Sequence, residues 1–215
     1  KMEIVGTRIS LMRRFLTDQL PLIKVAREFM HLSDIMSIFD RMITASANGG
    51  RVGGKAAGLL VANAILKDVF AAESPELVEK IVIPESWYIT SDVNEEFIDF
   101  NRLQEFRNYK YKSIDELGLL MPLLVEIYCN CSFPADVLDQ FREMLKDIGE
   151  CPIIVRSSSL LEDGFNDAFS GMYKSLFLGN QGSLEMRLDA LCDAVAEVYA
   201  CIMAPDPVSY RQSHG

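Results

Sequence analysis

Pro152-Ile153-Ile154-Val155-Arg156-Ser157-Ser158-Ser159-Leu160-Leu161-Glu162-Asp163 is the stretch on which the reading of this chain turns. Its short run of β-branched residues is the signature of a buried strand, and it ends abruptly in one arginine and three serines. A strand holds its backbone rigidly, so Arg156 emerges at a defined strand end beside a cluster of small hydroxyls. A guanidinium presents a planar fork of donors suited to phosphate or carboxylate, and serine hydroxyls and backbone N–H groups can join it. Taken alone, the stretch allows two readings: a phosphate contact, or an arginine paired with Glu162 or Asp163 in a surface turn.

A second stretch, Asn48-Gly49-Gly50-Arg51-Val52-Gly53-Gly54-Lys55, bears on that choice. Glycines 49, 50, 53 and 54 leave no packed helix or strand there, so the segment is a loop. Gly49-x-x-x-x-Gly54-Lys55 comes close to a Walker A loop. Ala56, however, lacks the hydroxyl that would coordinate magnesium, and the preceding segment reads as helix where a P-loop needs a strand. The physics of the loop does not depend on that motif. Amides freed by glycines, a helix starting at Ala56 and the Lys55 ammonium can together bind an anion. The competing reading is a glycine-rich surface turn with a solvated lysine.

With 21 Lys and Arg against 31 Asp and Glu, the net charge of −10 argues against broad binding to nucleic acid or an anionic membrane. An anionic ligand must then be held by a local basic site. No apolar run reaches the length of a membrane span; Leu59 to Leu66 is the best short candidate, and Asn63 interrupts it. The chain opens on Lys1 without an apolar signal. Cys129, Cys131, Cys151, Cys192 and Cys201 are odd in number and irregular in spacing, as expected for reduced thiols in a cytoplasmic protein. His31 and His214 belong to no Ser/His/Asp or Cys/His pattern. Glu185, Asp189, Asp193 and Glu197 recur every four residues and read as a solvated helix face, with no metal site.

Helical periodicity covers residues 8 to 45, broken at Pro21, with Ile35, Ile38, Phe39, Met42 and Ile43 on one face and Ser33 or Asp34 as N-cap. Ala56 to Phe70 is a helix of strong formers. Ile81 to Pro84 and Trp87 to Thr90 read as a strand pair or one strand interrupted by proline. Trp87 and Tyr88 there are most simply core residues. Asp92 with Glu95 resembles a capping box opening a helix through Phe97, Ile98 and Phe100. Residues 101 to 118 read as a helix end and surface connection. Helices are expected over Leu119–Tyr128, Ala135–Ile148 and about Ser183–Ile202, a strand over Tyr173–Leu178 and a small-residue loop over Phe165–Gly171. Strands separated by long helices indicate a mixed α+β fold.

Four stretches occurring in order carry a resemblance. They are Gly53-Gly54-Lys55-Ala56-Ala57-Gly58-Leu59, Ile83 to Thr90, Ile154 to Ser159 with Glu162-Asp163, and Phe169-Ser170-Gly171-Met172-Tyr173. Together they resemble the nucleotide-binding domain of the phosphoenolpyruvate synthase and pyruvate phosphate dikinase family, and Tyr199-Ala200 and Ser209-Tyr210-Arg211 resemble its continuation. The resemblance covers residues 47–215 and implies the first part of an ATP-grasp domain, preceded by a helical segment over residues 1–46. It implies that Lys55 and Arg156 contact the ATP phosphates. Gly53, Gly54, Ser157 and Ser158 would line the same wall, and Ser170 and Gly171 would lie close to the nucleotide.

The family's magnesium ligands, its phosphorylated histidine and its pyruvate-binding barrel are expected beyond residue 215. The resemblance thus implies an excised portion of an ATP-dependent phosphotransferase, inactive alone, that as a whole protein passes a phosphoryl group from ATP through a histidine to pyruvate or another acceptor. The alternative is a non-catalytic nucleotide-binding or regulatory module of the same fold. The apolar N-terminal helices could cover the domain or serve a homo-oligomer.

Overall fold

The computed structural model describes residues 2–46, 49–78, 80–158, 163–164, 167–168 and 174–214. The chain divides into two compact units, Lys1–Asp92 with Ser158–Ala168, and Val93–Ser157 with Phe169–Gly215.

The first unit begins with α1 (Met2–Leu11), which runs on into a π-helical turn, Met12–Leu16. Next come α2 (Leu20–Phe29) and α3 (Leu32–Phe39). The break expected at Pro21 falls earlier, at residues 17–19, because proline is tolerated in the first turn of a helix, where its missing N–H has no partner to lose. The N-cap of α3 is His31, and neither Ser33 nor Asp34 takes that place. The His31 side chain accepts from the third helical amide, while the Asp34 carboxylate accepts from the His31 N–H at 2.7 Å.

Met42 and Ile43 do not continue a helix. They form β1 (Met42–Ile43), parallel to β2 (Tyr88–Ile89), in register Met42 with Tyr88 and Ile43 with Ile89. Between them lie α4 (Gly54–Glu73) and the short α5 (Pro75–Val78). The expected strand at Ile81–Pro84 is not formed. Residues 81–87 are irregular, and the β1 edge takes the place of that partner. Met12, Leu16, Ala26, Met30, Ile35, Ile38, Val52, Ala57 and Val61 close into one buried cluster. α4 is thereby packed against α2 and the π-helical turn. β4 (Asp163–Gly164) and β5 (Asp167–Ala168) form a small antiparallel pair with β4 against α4, and β5 falls within the Phe165–Gly171 stretch expected to be loop.

The second unit takes in most of α6 (Ser91–Phe100), a 3-10 segment (Gln104–Tyr111), α7 (Ile114–Cys129) and α8 (Ala135–Ile148). The strand β3 (Ile153–Arg156), the strand β6 (Ser175–Leu178), α9 (Leu184–Ala200) and α10 (Pro205–His214) complete it. α7 starts five residues before the expected Leu119, because Ser113 and Glu116 form a capping box around its first turn. α10 follows a 3-10 turn at Cys201–Met203, and apolar periodicity, weak in that segment, did not announce it.

β3 and β6 pair antiparallel, Ile154 with Phe177 and Arg156 with Ser175, and pack on α9. α9 also packs on α7 and α8 around an aromatic cluster in which Phe97 lies 4.6 Å from Phe133 and 5.8 Å from Tyr128. Burial there pushes the Tyr128 hydroxyl up to about 12. The acidic stripe of α9 is partly paired: Glu185 meets Arg142 and Glu197 meets Lys174, while Asp189 and Asp193 are exposed.

Candidate functional site: the glycine loop

In the first unit, the parallel β1 and β2 flank a strand–loop–helix arrangement in which residues 44–53 carry the chain from β1 into α4. A strand therefore does precede the glycine loop, contrary to the helix expected there. Gly53 is the N-cap of α4, in extended backbone with φ −79° and ψ 174°.

Ser158 closes this helix end. Its hydroxyl accepts from the Ala56 N–H at 3.0 Å, from 102 positions further along the chain. The hydroxyl that position 56 lacks is thus delivered to its amide by another part of the unit, and one of the orphan donors of the first turn is satisfied. The approach is so close that only glycine fits at position 53. A Cβ there would lie 1.2 Å from the Ser158 carbonyl oxygen. Lys55 follows one residue into the helix and is half-buried.

Positions 51 and 52 of the loop are fastened as well. The buried Val52 donates its N–H to the Phe15 carbonyl at 2.9 Å. Arg51 exchanges two hydrogen bonds with Ser91, its N–H donating to the Ser91 hydroxyl at 3.2 Å and its carbonyl accepting from the Ser91 N–H at 3.1 Å. The Arg51 guanidinium meets Asp18 at 2.7 Å.

Asp92 is no helix cap, as α6 already begins at Ser91. Its carboxylate accepts instead from the Ala45 N–H at 3.2 Å and from the Ser46 N–H and hydroxyl, each at 3.0 Å. Partial burial works to raise the Asp92 carboxyl, but the bonds from Thr90, Ser46 and Ala45 outweigh it and hold the group below its ordinary range. Gly50 packs onto this helix start, where a Cβ would fall 2.4 Å from the Asp92 carboxylate and 2.6 Å from its backbone nitrogen. These attachments exclude a solvated surface turn.

Among the expected site residues, the structure brings Gly53, Gly54, Lys55 and Ser158 together in the first unit. Arg156 and Ser157 belong to the second unit. Arg156 ends β3 with its side chain exposed, on the same sheet face as Ile154 and opposite Ser175. Ser170 and Gly171, and Glu162 as an alternative partner of Arg156, lie outside the described residues. Trp87 is half-buried rather than a core residue. Phe15, Asp18, Ser91 and Asp92 were not anticipated. The Thr90-Ser91-Asp92 run is the one local signal that could have shown a polar strap, whereas the Phe15 contact is made by a backbone carbonyl and has no side-chain signature.

All five cysteines are free thiols, and burial pushes the Cys192 thiol up to about 12. Among the described residues no group of three or more His, Cys, Asp or Glu side chains is arranged to hold a metal ion. Among the described residues no helix is long and apolar enough to cross a membrane.

Comparison with known families gives a match to the pyruvate phosphate dikinase AMP/ATP-binding domain over residues 49–215, which begins at the first described glycine of the loop. Comparison with curated proteins and with solved structures gives no match. The match covers well over half of the chain and spans both the Gly53–Ser158 closure and the strand end at Arg156, so this chain belongs to the family of the pyruvate phosphate dikinase AMP/ATP-binding domain.

Proposed function

We propose that the chain binds ATP through its phosphates, with Lys55 and Arg156 as the contacting cations and Gly53, Gly54, Ser157, Ser158, Ser170 and Gly171 lining the site. The observation that carries the reading is the Gly53–Ser158 closure. It holds Ser158 on the helix end that bears Lys55, within a family of nucleotide-binding domains. In a body of net charge −10, a polyphosphate needs local cations, and these are the two offered by the motifs.

Phosphoryl transfer asks little covalent chemistry of the protein and depends mainly on holding and neutralising the phosphates. Lys55 supplies a point charge from the first turn of α4, where the helix dipole also favours an anion. Arg156 supplies a fork of donors from a rigid strand end. In the whole protein the domain would act as the ATP-grasp part of a dikinase-like phosphotransferase, sending a phosphoryl group through a histidine of another domain to pyruvate.

Titration calorimetry of the 215-residue chain with ATP tests the reading. Saturable binding is expected, and Lys55→Met and Arg156→Met should each weaken it by roughly 10-fold or more, the worth of one charge-assisted hydrogen bond. Absence of saturable binding at millimolar ATP would sink the nucleotide reading. Unchanged affinity in both variants would sink the assignment of the two cations.

A further inference from the structure

We infer that the N-terminal helices, which lie outside the family match, are the scaffold that sets the glycine loop, with Asp18 and the Phe15 carbonyl as its positioning groups. This rests on reading the loop as a phosphate site. The chain leaves α1 through a π-helical turn closed by the Thr17 N–H donating to the Met12 carbonyl at 3.0 Å. π-helical turns are rare, and the carbonyls of a last helical turn have no partner within the helix. The Phe15 carbonyl uses that opening to accept from the Val52 N–H at 2.9 Å. Val52 is 1 % exposed, so its N–H needs a protein partner, and the N-terminal turn supplies it.

Three residues after Phe15, the Asp18 carboxylate holds the Arg51 guanidinium at 2.7 Å. The Phe15 ring borders the same loop, 3.2 Å from where a Gly49 Cβ would sit, and is itself braced edge-on by Phe39 at 4.7 Å. Positions 51 and 52 are therefore both fixed from the N-terminal segment, and Gly53, Gly54 and Lys55 follow directly. A loop ordered in advance loses less conformational freedom when it takes up a ligand, and affinity rises accordingly. The Arg51 hydrogen bond, then the Arg51 charge, hold the Asp18 carboxyl below its ordinary range, so the pair is intact throughout the neutral range.

The test compares Asp18→Asn, Asp18→Glu and Arg51→Gln in the whole chain by hydrogen exchange of the Arg51 and Val52 amides and by calorimetry with ATP. Asp18→Asn should weaken ATP binding about two- to fivefold, as for an exposed ion pair, and should speed exchange at positions 51 and 52 by a similar factor. Both effects should fade in about 1 M salt, and Asp18→Glu should restore both. Arg51→Gln breaks the same pair from the other side and should reproduce them. Unchanged exchange and unchanged affinity in both Asp18→Asn and Arg51→Gln would overturn the inference. If the unaltered chain bound no ATP, the proposed function would fail. The exchange arm would then decide the scaffold alone, with faster exchange at 51 and 52 supporting it and equal exchange overturning it.

Discussion

The substitution Gly53→Ala forces the Ser158 backbone away from the start of α4. Position 53 has φ −79° and ψ 174°, which alanine adopts freely, so backbone strain is not at issue. In open space the change would stabilise the protein by about 0.4–1 kcal/mol through the unfolded chain. The neighbour reverses the sign. The new Cβ would lie 1.2 Å from the Ser158 carbonyl oxygen, 2.2 Å from its carbonyl carbon and 2.6 Å from its hydroxyl oxygen. Contacts under 3.0 Å are essentially never seen, so Ser158 must retreat by at least 1.8 Å, the difference between 1.2 and 3.0 Å. That retreat breaks the 3.0 Å bond to the Ala56 N–H, worth about 1 kcal/mol. It adds an overpacking cost of about 1–3 kcal/mol. The net expectation is a loss of about 1–3 kcal/mol.

Urea unfolding followed by the fluorescence of Trp87, the chain's single tryptophan and a member of the same unit, reads it out. Gly58→Ala is the matched control. It lies inside α4 with no atom within 4 Å of its would-be Cβ and should stabilise by about 0.5–1 kcal/mol. Ser158→Ala removes only the hydroxyl and should not rescue Gly53→Ala, because the clash is with a carbonyl. A Gly53→Ala chain as stable as the parent, or one restored by Ser158→Ala, would refute the argument.

Asp92→Ala should release residues 45–46 and cost about 2–3 kcal/mol in the same urea assay, since several donors lose one charged acceptor. Because the fold holds the Asp92 carboxyl below its ordinary 3.8, its contribution should be complete at neutral pH and vanish as acid passes through the lowered value. A difference between the parent and Asp92→Asn that is constant from neutral pH into strong acid would contradict this. Asn180 has φ 53°, is buried, and donates to the Gly149 carbonyl at 2.8 Å and the Cys151 carbonyl at 2.7 Å. Asn180→Ala should therefore cost about 2–3 kcal/mol, read as a shift of the urea midpoint followed by far-ultraviolet circular dichroism. Among the thiols, Cys151 is exposed and Cys192 is pushed up to about 12, so alkylation at pH 8 followed by peptide mass mapping should find Cys151 labelled first and Cys192 last.

What the sequence made legible was what local periodicity encodes. Ala135–Ile148 carries a strongly one-sided apolar pattern and forms the expected helix, and the Ile153–Arg156 strand forms as expected but is not buried, with Ile154 and Arg156 exposed on its outer face. Segments whose state is chosen by a distant partner were not legible. Met42 and Ile43 fit a helical face, yet their backbone pairs with Tyr88 and Ile89, some 46 residues away, and tertiary pairing overrides local preference. Asp92 has the spacing of a cap but is recruited by Ala45 and Ser46. In the site, glycine composition located the loop, while nothing local to positions 53 and 158 foretold that they meet. The Phe15 and Val52 contact involves only main-chain atoms, which every residue carries, so no side-chain pattern could point to it.

The first unit is assembled from two separate stretches of the chain, and this sets a clock on its biosynthesis. Ala56 leaves the ribosome 102 residues ahead of the serine that caps it. At roughly 5–20 residues per second, the start of α4 waits about 5–20 s for its partner. During that interval the N-terminal helices can already bury Met12, Leu16, Val52 and Ala57 against one another, but the first turn of α4 lacks its Ser158 partner. A nascent chain halted before Ser158 would hold a packed core with the start of α4 uncapped, so core formation and closure of that helix end should arrive at separate moments of synthesis.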